Sequence, residues 1–84
     1  MATPEPHIEY PCPWTYALIG KEETVLRASI RFVLGDRPCE VVFSHKSSAG
    51  KYVSVHVHTR VENEEDRNTL FEAFKKEPGV KMVL

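Results

Sequence analysis

His56 and His58 stand two residues apart in the alternating stretch YVSVHVHTRV, so on a β-strand they project side by side from one face, a spacing that can supply two ligands to a metal ion. His45, in the preceding apolar stretch, is a conceivable third. Alternation with Val41 and Phe43 sends it to the opposite side of the sheet unless the strand end twists out. Structural zinc normally takes four ligands and no thiolate is near, so the plainer reading is a pair of partly exposed sheet histidines, and no metal or other cofactor is expected.

The segment SSAGKY combines small residues, free backbone amides and a lysine, a set that can hold a carboxylate or phosphate. True phosphate loops are longer and open a helix, and a tight turn that needs Gly50 at positive φ explains the glycine by itself. Lys51, Arg60, His56 and His58 could surround Tyr52 as a modest basic patch for stacking a base. The position two after Tyr52 is Ser54, so the second stacking aromatic of an RNA-binding sheet is missing. The candidate ligand- or partner-binding residues are thus Ser47, Ser48, Gly50, Lys51, Tyr52, Ser54, His56 and His58. Cys12 and Cys39 would need a lowered thiol pKa and a positioned base to act as nucleophiles, and the sequence places no histidine beside either. With no paired carboxylates and no serine triad, no catalytic residues and no enzymatic activity are expected.

The chain has 84 residues, enough for one domain and one core. Eleven Lys and Arg against twelve Asp and Glu give a net charge of −1, which disfavours nonspecific binding to nucleic acid or an anionic membrane. No apolar run approaches the ~20 residues needed to span a bilayer, and the N-terminus lacks a basic stretch followed by an apolar one. Cytoplasmic location and reduced thiols are the expectation.

The elements that must position these residues follow from periodicity. Residues 1–13 hold four of the six prolines and read as an extended lead-in to a domain spanning 14–84. WTYALIG, Trp14 to Gly20, reads as a strand buried on both faces or nearly so. Val25, Leu26, Ile30, Val33 and Leu34 recur at helical spacing between Lys21 and Leu34, with Gly35 placed for a left-handed stop. Cys39 to Lys46 and Tyr52 to Val61 are strands joined as a hairpin. Asn63 caps a second helix with Glu64, Glu65 and Asp66 in its first turn, Leu70, Phe71 and Phe74 as its apolar stripe, and Lys75 and Lys76 at its end. Val80 to Leu84 closes as a strand.

Strand, helix, hairpin, helix, strand predicts an α+β, ferredoxin-like βαββαβ two-layer sandwich, a four-stranded antiparallel sheet of order 4-1-3-2 with two helices on one face. Val53, Val55, Val57 and Val61 then point at the helices, and Tyr52, Ser54, His56, His58 and Arg60 turn to the open face. Cys12 and Cys39 fall about two strand spacings apart, beyond the ~7 Å reach of a disulfide. Trp14 and Tyr16 share a face, suited to the core or, with Tyr10, to an interface.

Three stretches, YPCPWTYALIG, SSAGKYVSV and the closing VKMVL, resemble the small YbeD-like bacterial family of unknown function. The resemblance implies a ferredoxin-like fold similar in shape to ACT-type regulatory domains and brings a lipoate-binding regulatory label. It carries over no catalytic residue. The functional expectation is a non-catalytic regulatory or adaptor domain binding a protein partner or a small acidic metabolite through the open sheet face, the hairpin and the edge of the second strand; RNA or metal binding on the open face is the alternative.

Overall fold

The computed structural model describes residues 8–46 and 50–84. Six elements follow in chain order: β1 (Cys12–Gly20), α1 (Glu23–Leu34), β2 (Cys39–Lys46), β3 (Val53–Val61), α2 (Glu64–Lys75) and β4 (Met82–Val83). The sheet order is β2-β3-β1-β4, antiparallel throughout, which is the expected βαββαβ sandwich. Gly35 ends α1 at φ 59° and Gly50 sits in the hairpin at φ 69°, both conformations that a Cβ would strain. Asn63 caps α2 as its side chain predicts, its Oδ1 accepting the Asp66 N–H at 2.7 Å.

One face of the sheet and one stripe of each helix make the core. Tyr16 and Leu18 of β1 and Val53, Val55, Val57 and Val61 of β3 are buried against Leu26, Ile30 and Leu34 of α1 and Leu70 and Phe74 of α2. Thr59 interrupts the valine series on that face, and its hydroxyl is satisfied by donating to the Pro38 carbonyl at 2.9 Å.

β1 differs from its expectation in two ways. Tyr16, Leu18 and Gly20 are buried on its helix side, whereas Ala17 and Ile19 on the other are half-buried because both helices pack on the opposite side. It also begins at Cys12, inside the proline-rich lead-in. Pro13 fits there because β4 reaches β1 only beside Ala17 to Ile19, leaving the first half of β1 as a sheet edge. Ala17 and Ile19 exchange bonds with the β4 segment, so period two aims the Pro13 nitrogen at that same vacant edge. β4, by contrast, is shorter than Val80 to Leu84, although Lys81 and Leu84 extend its hydrogen bonding by one residue on either side.

Gly20 is fixed by a close approach. A Cβ there would stand 2.5 Å from the Gly79 carbonyl oxygen and 2.8 Å from Leu26 Cδ2, so the end of β1 and the α2–β4 turn would have to separate. Gly20→Ala is expected to cost about 1–3 kcal/mol, read as a lowered urea midpoint at unchanged slope. A wild-type midpoint would show that the turn moves freely.

Candidate functional site

The register assembles the open face in rows. His45, Ser54, Ile19 and Met82 lie across the four strands in one row. Val42, His56 and Ala17 form the next, completed by Leu84, whose N–H and C=O both bond Ala17 at 2.8 and 3.0 Å. Glu40, His58 and Thr15 form the third. Residues directly opposite in antiparallel strands share a face, so each row is a strip of side chains on the surface that no helix covers among the described residues.

His45 reaches this face by a departure from simple alternation. The β2–β3 register shifts between Phe43 and His45, so Phe43 opposes Val55 on the helix side while His45 opposes Ser54 on the open side. A one-residue bulge at Ser44 flips every later side chain of β2. The sequence expectation that His45 follows Phe43 to the helix side is thereby corrected.

The predicted site residues separate into three groups. Ser47 and Ser48 lie outside the described residues. Gly50 and Lys51 are exposed at the hairpin end, and Tyr52 is half-buried with the Lys81 ammonium 5.6 Å from its ring centroid. Ser54, His56 and His58 are on the open face as expected, but differently solvated: Ser54 is buried, His56 half-buried and His58 exposed. The imidazoles of His56 and His58 meet edge to face at 6.4 Å, and His58 Nδ1 shares a 2.8 Å hydrogen bond with the Thr15 hydroxyl. Among the described residues no cluster of three or more His, Cys, Asp or Glu side chains is placed to hold a metal ion.

The cysteines stay apart as the topology requires. Cys12 opposes Val61 on one side of β3 and Cys39 opposes Thr59 on the other, and both thiols are free. Trp14 and Tyr16 resolve to packing. Trp14 lies against the core under the Arg67 guanidinium, 4.7 Å from its ring, and Tyr16 is buried with its hydroxyl donating to the Arg67 carbonyl at 2.7 Å. Burial is the main reason that the Tyr16 hydroxyl is pushed up to about 12.

Sequence reasoning passed over the apolar members of the open face. Val42, Met82 and Leu84 are 40%, 51% and 69% exposed on this one side of the sheet. Their rows could have been drawn from the predicted strand order, but only with the register in hand. Phe32 was missed differently: it falls between Arg31 and Val33, outside the buried stripe of α1, and is 80% exposed.

A two-layer ferredoxin-like sandwich whose polar candidates lie on an open sheet face defines the class: a small α+β domain of ACT-like fold. The ACT domain of a GTP pyrophosphokinase from Chlorobium tepidum superposes with a TM-score of 0.66 at 17% identity, covering 88% of this chain and 96% of that one, a likeness of fold. Residues 5–84 match the family described as protein of unknown function (DUF493), and the chain belongs to that family, in keeping with the resemblance of its YPCPW, SSAGKY and VKMVL stretches. An uncharacterised Campylobacter jejuni protein is 31% identical over 71 residues, 84% of this chain and 82% of its own length. A Helicobacter pylori protein solved in solution superposes with a TM-score of 0.81 at 29% identity, covering 95% of this chain and 88% of that one.

Proposed function

We propose that this chain is a regulatory or adaptor domain that acts by binding rather than by catalysis, and that its open sheet face receives a protein partner. The observation that carries this reading is the concentration of exposed Val42, Met82 and Leu84, with half-buried Ile19 and Ala17 between them, on the one layer of the sandwich that no helix covers among the described residues. Apolar surface of that kind is stabilised when a partner removes it from water, at roughly 25 cal/mol per Å². His45, His56 and His58 interleave with it and supply hydrogen-bonding groups that orient a partner. The cytoplasm is the setting of this reading, and the two free thiols support it.

The test is affinity capture from lysate of the native host with wild-type protein and with a Val42→Asp, Met82→Asp variant. Both positions are solvent-facing, so the variant should keep its circular dichroism and lose no more than about 0.5–1 kcal/mol of stability. A saturable partner whose recovery drops about tenfold with the variant is the expected result, equivalent to ~1.4 kcal/mol of binding free energy. A partner retained at full recovery, or none captured by the wild type, would overturn the reading.

A further inference from the structure

The net charge of −1 conceals a strong separation of charge along the strand direction. All six lysines, Lys21, Lys46, Lys51, Lys75, Lys76 and Lys81, lie at one end of the sandwich, and all six are exposed. The register places them. Gly20, Val53 and Lys46 share a row, so Lys21 follows the last residue of β1 and Lys51 stands just before β3 at that end. The Lys81 N–H donates to the Ile19 carbonyl at 2.7 Å, and α2 delivers Lys75 and Lys76 as it closes, Lys75 lining a cleft with Lys81. Of the nearby carboxylates, Glu23 is engaged with Arg27 at 2.6 Å and Glu72 stands 3.9 Å from Lys75, leaving Glu22 and Glu77 against the cluster. The opposite end gathers Asp36, Glu40, Glu62, Glu64, Glu65 and Asp66. Of the arginines there, Arg37 grips Asp66 and Arg67 lies over Trp14 and beside Glu64, while Arg60 is exposed.

We propose that the lysine-bearing end is a docking surface for an acidic segment of a partner protein, separate from the open face. Lysine presents a compact charge on a flexible stem, which suits an adaptable acidic surface rather than one planar group. The cluster spans the width of four strands, about 14 Å at ~4.8 Å per spacing, wider than a small metabolite. Between Lys21 and Lys81 a cleft of about 570 Å³ is walled by Val25, Pro78 and Gly79 with Glu22 at its side, so it can take an aliphatic side chain whose flanking carboxylates turn to the two lysines and away from Glu22. A long nucleic acid is disfavoured because the acidic end, a strand length away, repels a polyanion that continues past the cluster, and because Tyr52 and Phe71 at this end already carry Lys81 and Lys75 on their rings.

Fluorescence polarisation tests this with two labelled probes, a short peptide of Glu and Asp around a Leu pair and an oligouridylate, at low and physiological salt. The acidic peptide should bind, weaken with salt, and lose about tenfold in affinity for Lys21→Glu, Lys81→Glu. Arg60→Glu at the far end and Val42→Asp on the sheet face should each change it by less than about twofold. Should the charge-reversed pair fail to fold, Lys46→Ala, Lys51→Ala is read instead, with the same direction. No binding of the peptide, binding indifferent to both lysine pairs, or tighter binding of the oligouridylate would each overturn the proposal.

Discussion

Phe74→Ala is expected to remove about 3–5 kcal/mol, the range for truncating a large aromatic in a core that only partly collapses around the gap. Phe74 is fully buried and its ring meets Tyr16 at 5.3 Å and 57°, a tilted aromatic contact between α2 and β1. Leu70 is the other buried residue of α2, and half-buried Phe71 packs beside the two. An 84-residue domain commonly has about 4–13 kcal/mol in total, so the variant should be largely unfolded or at the edge of unfolding. Phe74→Leu should recover more than half of the loss by refilling the space. Urea denaturation of the three proteins measures both steps; a loss below about 2 kcal/mol for Phe74→Ala would mean that α2 settles into the gap.

The second large effect centres on Asp66, in the first turn of α2. Its carboxylate receives both Arg37 guanidinium nitrogens at 2.8 and 2.9 Å and the Glu62 N–H at 2.9 Å, while Arg37 also donates to the Arg60 carbonyl. One side chain therefore ties the α1–β2 turn to the β3–α2 turn. Asp66→Ala removes three charge-assisted bonds and leaves the partly buried Arg37 without its acid, at an expected cost of about 2–4 kcal/mol. The hydrogen bonds from Arg37, then from the Glu62 N–H, hold the Asp66 carboxyl below its usual range. A depressed folded-state pKa means that this contribution is present above the unfolded value of about 3.9 and is lost as pH falls through the folded value. Thermal unfolding followed from neutral pH into that acid range should show a steeper loss for the wild type than for Asp66→Asn. Parallel curves would place the acid sensitivity elsewhere.

Much of the fold could be read in the chain because its local signals agree with one another. The valine alternation of β3, the Asn63 cap with its acidic first turn and Gly35 after the α1 stripe each have one physical interpretation, and together they leave one topology. The candidate surfaces were less accessible. The bulge at Ser44 has no composition mark in CEVVFSHK, so the side to which His45 turns could not be read from periodicity. Net charge averages over the molecule, and it hid a separation that arises only when three chain-distant turns meet at one end. The apolar rows on the open face depend on cross-strand register, a long-range property that sets which of two alternating faces neighbours share. Phe32 is an exposed aromatic with no stripe to betray it.

The bulge at Ser44 also governs how the protein behaves in a crowd of its own copies. β2 is an edge strand, and an unpaired edge is a ready template for cross-β stacking from one molecule to the next. Here the straight portion ends at Phe43; beyond it the register slips, and charged Lys46 follows. An incoming strand can stay in step only along Cys39 to Phe43, and two such edges brought together lose step at the same place. The edge is thus long enough to lend itself to a short complement and too irregular to seed a fibre.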